Sequence, residues 1–331
     1  MSNAYQVGEA ELVIGASIGV AFGPVDGSDD QALIRSADLA LYRAKERGRG
    51  QHAFYEPAML AKAQENRLLE SDVRTALRDH QLSLAYQPII DAATREIVGR
   101  EALLRWNHPE RGEIAPDRFI PVIEDLGLIG QIGSRVIHQA CADAACWPVQ
   151  ERVAVNISVA QLRGASLAIT VVAALGASGL APDRLELEVT ESIFLGNDAA
   201  TIRSLDSLCA LGVRLVLDDF GKGYSSFGYL SRVSFAKIKI DRLFVRDATE
   251  GCRQSRAIIG SILALARGLG IQTTAEGIET AAEAELMSAS GCSQLQGFYF
   301  GRPMPFDKNA IPRPSISGAR DEYDRRIVRF G

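Results

Sequence analysis

Polar side chains recur at or near the C-terminal ends of the buried strands that the sequence predicts. Their types suit cation binding and chemistry on an anionic substrate, and in chain order they are Glu101, Asn156, Glu188, Asp218, Asp219, Lys239, Glu276 and Gln296. Any one of these acids taken alone is most often a solvated loop residue or a helix cap. Eight polar residues at corresponding ends of successive strands indicate a shared site instead.

Four or five carboxylates brought to one place would repel one another. Two like charges about 4 Å apart repel by roughly 4 kcal/mol at an effective dielectric constant near 20, so the cluster must protonate, spread apart or bind cations. The candidate ligands are all oxygens, which favours Mg²⁺ or Mn²⁺ over zinc or copper. The adjacent Asp218 and Asp219 suggest that two ions are bridged, as in phosphoryl displacement. Hydrolysis of a phosphoester is therefore the leading chemistry.

Lys239 lies in the predicted strand 236–241. An inward-facing lysine is costly to bury without an anion, so we expect it to face the carboxylates or a substrate phosphate. Lys237 and Glu186 share the strand parity of Lys239 and Glu188 but lie deeper. The sequence alone does not show how that second pair would be satisfied.

The elements that would position these residues alternate between strand and helix after His80, which is typical of a parallel sheet. The predicted strands are 84–90, 97–106, 152–158, 184–191, 213–219, 236–241, 271–276 and 295–300. The predicted helices between them are 117–126, 133–145, 167–178, 199–211, 253–268 and 280–289. Eight strands over about 230 residues match a TIM-type (β/α)8 barrel, which builds its sites at the C-terminal ends of its strands. An open doubly wound sheet is the alternative.

The sequence predicts that the N-terminal segment is a small α/β fragment with few other elements to pack against. We expect a strand over 12–22, a helix over 31–47, a short strand over 51–55 and a connecting helix over about 57–79. This fragment is too short to bury a large core by itself.

Composition and missing motifs exclude several classes of protein. A net charge of −5, from 36 basic and 41 acidic residues, is too mildly acidic for a protein that holds duplex nucleic acid by bulk charge. The five cysteines form no CxxC pair, which favours a reducing, cytoplasmic setting and argues against structural zinc. No apolar run approaches the roughly 20 residues of a membrane helix. The DFG at 219–221 lacks the HRD triplet and glycine-rich loop of a protein kinase.

Seven motifs, in order, resemble the EAL-domain phosphodiesterases of bacterial cyclic di-GMP (c-di-GMP) signalling. They span roughly residues 65–306 and read EALLRW (101–106), VAVNIS (153–158), ELEVTES (186–192), DDFGKGYSS (218–226), KIDRLFV (239–245), AEGIET (275–280) and QGFYFGRP (296–303). The resemblance implies a barrel whose first strand runs antiparallel to the rest. It also implies metal-dependent hydrolysis of cyclic di-GMP to linear pGpG by metal-activated water, and association into homodimers.

The same resemblance implies roles for individual residues. Metal ligands would be Glu101, Asn156, Glu188 and Asp218 for a first Mg²⁺ or Mn²⁺ ion, with Asp218 and Asp219 for a second. Lys239 would contact the attacking water or the phosphate, Glu276 would orient or deprotonate that water, and Glu191 would fix the DDFG loop. Gln87, Arg105 and Gln296 would be substrate contacts or their supports, and Glu279 is a weaker candidate of that kind.

Residues 17–22 and 37–50 resemble the last part of a GGDEF diguanylate cyclase domain, whose signature motif the chain lacks. The expected organisation is therefore a GGDEF remnant (1–56), a connecting helix (57–80), an EAL barrel (81–310) and a C-terminal tail (311–331). We expect no cyclase activity, and a cytoplasmic location that leaves membrane tethering of a longer parent protein open.

Two alternatives to an active phosphodiesterase remain at this point. One is a catalytically silent receptor module for cyclic di-GMP, although such receptors usually lack metal ligands that this chain retains. The other, if the resemblance is set aside, is a barrel lyase or isomerase of the enolase type, which also presents acids and a lysine at strand ends.

Overall fold

The structure is a computed structural model of the 331-residue chain. It describes residues 4–7, 10–13, 15–46, 48, 50–164, 166–194, 199–221, 230 and 232–307. The predicted tail at 311–331 lies outside these ranges. The chain divides into two units, Met1–Arg78 and Asp79–Gly331.

The described residues of the N-terminal unit form two two-stranded sheets and two helices. Its elements are β1 (Ala4–Val7), β2 (Ala10–Val13), β3 (Ile18–Val20), α1 (Asp30–Glu46), β4 (His52–Phe54) and α2 (Pro57–Arg78). A small core forms around the buried Ala40, Ala44, Ala53 and Met59. Gly19 lets α1 lie against β3, since a Cβ there would fall 2.0 Å from the carbonyl oxygen of Ala37.

The prediction of one strand over 12–22 was wrong. Strand β2 pairs antiparallel with β1, whereas β3 pairs parallel with β4 in a separate sheet. Residues 15–17 between them belong to neither sheet. The apolar run is broken because its two halves have different pairing partners, which the pattern of residue types does not reveal.

The second unit is built on a closed barrel of eight strands. Its strands, with two short extensions β7 and β14, are β5 (Leu82–Asp91), β6 (Ile97–His108), β7 (Gly112–Ile114), β8 (Arg152–Asn156), β9 (Leu185–Thr190), β10 (Arg214–Phe220), β11 (Phe235–Ile240), β12 (Gln272–Ala275), β13 (Gln294–Gln296) and β14 (Met304–Pro305). Strand β5 closes the barrel by pairing antiparallel with both β6 and β13, and the other barrel pairs are parallel. The TIM-type barrel with an antiparallel first strand is therefore confirmed, and the open sheet was the wrong alternative.

Helices alternate with the barrel strands, close to the predicted bounds. They are α3 (Pro116–Asp125), α4 (Ile129–Ala144), α5 (Val159–Arg163), α6 (Leu167–Ser178), α7 (Ala199–Ala210), α8 (Arg242–Thr249), α9 (Arg253–Leu269) and α10 (Ala281–Ala289). No described helix is both long and apolar enough to cross a membrane. The main core contains strand residues such as Leu185, Leu187, Leu215 and Ile238, all with 0% exposure. Because successive strand residues point to opposite faces, the alternating Glu186 and Glu188 belong to the barrel interior.

The last predicted strand, 295–300, is shorter than expected. Only Gln294–Gln296 form β13, and the chain then turns, with the Phe300 amide donating to the carbonyl of Gly297. Gly297 lies against the backbone of Ile278, where a Cβ would approach the Ile278 oxygen to 2.1 Å. The residue types of GFYF favour a strand, but this close backbone contact bends the chain.

Candidate active site

Lys239 lies at the centre of a ring of carboxylates in one mouth of the barrel. Its side chain is 1% exposed, and its Nζ lies 2.7 Å from Glu188 Oε2 and 2.7 Å from Glu276 Oε1. Glu101 Oε2 is 3.4 Å away and Asp218 Oδ1 is 3.7 Å away. The lysine therefore faces four acids that the sequence separates by up to 175 positions.

Different strands supply the members of this cluster. Glu101 comes from β6, Asn156 from the end of β8, Glu188 from β9 and Lys239 from β11, while Glu276 directly follows β12. Asn156 and Glu188 are partners in the β8–β9 register. Asn156 Nδ2 donates to Glu101 Oε1 over 2.7 Å. The barrel register thus gathers side chains that are distant in the chain.

Asp218 and Asp219 both lie at the end of β10, although neighbouring strand residues normally face opposite ways. The β10–β11 register shifts between Leu217 and Phe220, and Asp219 adopts a left-handed φ of 56°. The Asp219 amide donates to Asp218 Oδ1 over 2.8 Å. This irregularity lets consecutive carboxylates serve one site. Residues 222–226 of the DDFGKGYSS motif lie outside the described ranges.

The donor set fits divalent cations. Carboxylate oxygens of Asp218, Asp219 and Glu276 lie within 4.8 Å of one another. Glu188 Oε1 is buried and has no hydrogen-bond partner in the described structure. Among the described residues, four carboxylates surround the Lys239 ammonium group, so the fully ionised cluster would carry surplus negative charge in a buried place. Hard cations with oxygen ligands would remove that surplus.

Burial and mutual repulsion shift the pKa values of these groups. Burial raises the pKa of Glu276 to about 8, with further contributions from Asp218 and Glu101. Burial likewise raises the pKa of Glu188 well above its usual range and raises that of Asp218. At Glu101 burial acts in the same direction, but Lys239 and the donated hydrogen bonds outweigh it and lower the pKa. Burial would lower the pKa of Lys239, but the four acids raise it well above its usual range, so Lys239 stays charged.

Two glutamines support Glu101 from the antiparallel side of the barrel. Gln296 Nε2 donates to Glu101 Oε2 over 2.7 Å and to Gln87 Oε1 over 3.2 Å. Gln87, which faces Glu101 in the β5–β6 register, donates from Nε2 to the Gly301 carbonyl over 3.1 Å. This chain of contacts orients the Gln296 amide and leaves its Oε1 buried without a partner among the described residues.

A cleft of about 290 Å³ opens above the cluster. Its lining includes Glu101, Glu276 and Gln296, together with Arg242, Glu279 and Phe298. The Arg302 guanidinium stacks 4.3 Å from the centroid of the Phe298 ring. The cleft therefore offers carboxylates, amides, a guanidinium and an aromatic ring to a ligand.

Arg105 and Glu191 are neither among the residues that line this cleft nor among the described contacts of the Lys239 cluster. Arg105 is half-buried on β6 and its Nε lies 3.6 Å from Glu113 Oε1. Glu191 is buried in a 3₁₀ turn after β9, and neither of its carboxylate oxygens has a hydrogen-bond partner in the described part of the chain.

The sequence did not identify four residues that line the cleft or support its loop, namely Arg242, Gly277, Phe298 and Glu283. Glu283 Oε2 accepts hydrogen bonds from the amides of Glu279 and Thr280, at 2.7 and 2.9 Å, and so holds the loop that follows Glu276. The spacing from Thr280 to Glu283 is a capping box, a signal that the sequence contains. The positions of Arg242, Gly277 and Phe298 depend on contacts between distant segments and carry no such local signal.

The deeper charged residues, Lys237 and Glu186, form an ion pair with each other. Lys237 Nζ lies 2.5 Å from Glu186 Oε2, and both residues are at most 2% exposed. Arg214 Nε lies 3.3 Å from Glu186 Oε1. Burial would raise the pKa of Glu186, but Lys237 and Arg214 outweigh it and lower the pKa. This second layer thus forms a buried ion pair below the Lys239 cluster.

Two parts of the chain match two different protein families. Residues 70–303 match the family model described as EAL domain, and residues 1–51 match that of the diguanylate cyclase GGDEF domain. The bifunctional diguanylate cyclase/cyclic di-GMP phosphodiesterase MucR of Pseudomonas aeruginosa is 42% identical over 93% of this chain and 45% of its own length. Cyclic di-GMP phosphodiesterase PdeR of Escherichia coli is 38% identical over 91% of this chain and 46% of its own length.

Among solved structures, the PaMucR phosphodiesterase in a c-di-GMP complex is similar with a TM-score of 0.70 and 42% identity. That match covers 73% of this chain and 100% of the other. The chain spans less than half the length of the curated relatives it matches, such as the 37% of a signaling protein of Caulobacter vibrioides.

Proposed function

Because the chain belongs to the EAL domain family, we propose that it hydrolyses cyclic di-GMP to linear pGpG with the help of Mg²⁺ or Mn²⁺. The observation that carries this proposal is the cluster of oxygen ligands around Lys239 at one mouth of the barrel. Support comes from relatives that are named cyclic di-GMP phosphodiesterases and from the likeness to a phosphodiesterase complexed with c-di-GMP.

The residues that would hold the ions follow from the donor set. Glu101, Asn156, Glu188 and Asp218 would hold a first ion, and Asp218 with Asp219 would hold a second. Bound there, divalent ions polarise a phosphodiester and lower the pKa of water. The unpartnered Glu188 Oε1 and the close oxygens of Asp218, Asp219 and Glu276 support this assignment.

The remaining residues handle charge and protons. Glu276, with a pKa raised to about 8, would accept a proton from the attacking water, since a base poised near the working pH is most effective. Lys239 would place a fixed positive charge beside the phosphate as the water oxygen bonds to phosphorus. The bond from phosphorus to the ribose O3′ then breaks and that oxygen gains a proton, which leaves the 5′-phosphate of pGpG.

The test is hydrolysis of cyclic di-GMP by the purified chain with Mg²⁺ or Mn²⁺, with Glu101→Ala as the inactive control. A Lys239→Ala variant is expected to lose rate more than nucleotide affinity. If wild type and Glu101→Ala both leave cyclic di-GMP uncleaved under saturating Mn²⁺, the hydrolase proposal fails. Binding without turnover would then indicate the silent receptor.

The organisation expected from the sequence belongs to the same proposal. Residues 1–56 would be a GGDEF remnant without cyclase activity, 57–80 a connecting helix and 81–310 the catalytic barrel. We further propose that the chain acts in the cytoplasm as a homodimer. Light scattering on the purified protein tests the dimer, and incubation with GTP tests the lack of cyclase activity.

A further inference from the structure

Arg242 is an unassigned cation in the cleft. It is the first residue of α8, it is exposed, and it lines the cleft together with Glu276 and Phe298. Within the part of the chain that the structure describes, its guanidinium makes no hydrogen bond or ion pair. A guanidinium with no such contact among the described residues can bind a ligand.

The position of Arg242 is unfavourable for its own helix. A cation in the first turn opposes the helix macrodipole. The acidic N-cap Asp241 serves the helix start by accepting a hydrogen bond from the Leu243 amide, and the first turn itself contains no acidic residue. Asp241 therefore stabilises the start of α8, and Arg242 adds nothing to it.

The neighbouring backbone is shaped around Arg242. Gly277 directly follows Glu276 and has a left-handed φ of 63°. A Cβ at Gly277 would lie 2.3 Å from the Cβ of Arg242 and 3.3 Å from its Cδ. Only a glycine leaves room there, so the stem of Arg242 is held against the residue that follows Glu276.

The cleft contains acids that Arg242 does not neutralise. Among the described lining residues the acids are Glu101, Asp241, Glu276 and Glu279, and Arg242 is the single cation. Lys239 lies deeper, within contact of four carboxylates. Cyclic di-GMP carries two phosphodiesters, and the proposed reaction brings one of them to the Lys239 cluster. The other is not engaged by that cluster, and Arg242 is the cation among the described lining residues that could pair with it.

We propose that Arg242 binds the second, uncleaved phosphodiester of cyclic di-GMP and so orients the nucleotide in the cleft. A planar guanidinium suits phosphate because two parallel N–H groups donate to two oxygens. The inference rests on the proposed function, since it presumes that cyclic di-GMP is the substrate.

The experiment compares Arg242→Gln and Arg242→Lys with wild type in the metal-loaded protein. Both KM and kcat for cyclic di-GMP are measured at low and moderate salt, together with nucleotide affinity. Arg246→Gln is the matched control, because Arg246 lies one turn further along α8, is 60% exposed and is ion-paired with Asp247. We expect Arg242→Gln to raise KM by about tenfold with little change in kcat. Arg242→Lys should raise KM less than Arg242→Gln does, because it keeps the charge but loses the paired N–H donors of the guanidinium.

The salt dependence identifies the group that is bound. Wild-type KM should rise with salt more steeply than that of Arg242→Gln, because screening weakens a charge contact. If Arg242→Gln has the wild-type KM and affinity, Arg242 does not bind the nucleotide. If Arg242→Lys is as impaired as Arg242→Gln and the salt response is unchanged, the contact is with a guanine edge and the phosphate assignment is overturned. A wild type that neither binds nor cleaves cyclic di-GMP refutes the proposed function itself.

Discussion

Lys239 provides the positive charge that makes a buried group of acids tolerable in the absence of metal, so Lys239→Met should make folding depend on metal. Lys239 Nζ is within 3.7 Å of an oxygen of each of four carboxylates. Removing one partner of a buried ion pair typically costs about 3–5 kcal/mol. We expect Lys239→Met to lose free energy of unfolding in this range when a chelator removes divalent cations.

Divalent cations should restore much of that loss. They are the other means of neutralising the cluster, and a ligand at 100 times its Kd stabilises the native state by about 2.7 kcal/mol. Without the competing ammonium, the variant should gain more stability from Mn²⁺ than wild type does. Urea unfolding with and without Mn²⁺ measures this gain. Intrinsic fluorescence follows the barrel because both tryptophans, Trp106 and Trp147, lie in it.

Lys237→Met is the matched control for Lys239→Met. Lys237 is also almost fully buried and ion-paired, one layer deeper, with Arg214 left near Glu186 after the substitution. It should lose about 3 kcal/mol or somewhat less and should respond to Mn²⁺ as wild type does. Equal stabilisation of both variants by Mn²⁺ would refute the reasoning, since the effect would then be independent of the Lys239 cluster.

Three further outcomes are expected. Asp218→Asn should lose turnover by about 100-fold or more while keeping its fold. Its melting temperature in chelator should equal or exceed that of wild type, because repulsion between the carboxylates falls. A sharp drop in that melting temperature would contradict the ring of acids. Glu283→Ala should lower kcat/KM by about tenfold, because it releases the loop after Glu276. Glu283→Gln keeps an accepting oxygen and should retain most activity. Equal losses of kcat/KM in the two variants would argue against a positioning role for Glu283. Because the pKa of Glu276 is raised to about 8 in the folded state from 4.5, the folded state binds the extra proton between these values. The unfolding free energy of the metal-free protein should therefore fall as pH rises from about 4.5 to about 8 and level off above it. A flat profile in urea unfolding would contradict the shift.

Much of the barrel was predictable because its signals are local. Alternation of apolar and polar residues in LELEVT indicated that Glu186 and Glu188 share the interior face. The helix predicted over 167–178 has those bounds in the structure, and it ends before Gly179, whose left-handed φ of 69° suits glycine. The strand predicted over 295–300 failed where a backbone contact between Gly297 and Ile278 overrides residue preference.

Part of the candidate site could also be predicted from the sequence, and part could not. The sequence predicted that the oxygen ligands at successive strand ends form one group, because the ends of parallel strands meet at one side of a barrel. The pairing of Lys237 with Glu186 was not readable, since it depends on which strands become neighbours and in which register. Arg242 was also missed, because an exposed arginine at a helix start is unremarkable until the cleft beside it is known.

The order and types of residues in this chain determined the alternation of elements, the strand faces and the chemistry of the ligand set. These depend on short-range periodicity and on what each side chain can donate or accept. The closure of the barrel through β5, the turn of Asp219 toward the site of Asp218 and the room that Gly277 leaves for Arg242 were decided only by the tertiary structure. Each depends on the distance between segments that are far apart in the chain, and such distances arise only when the strands have taken their register.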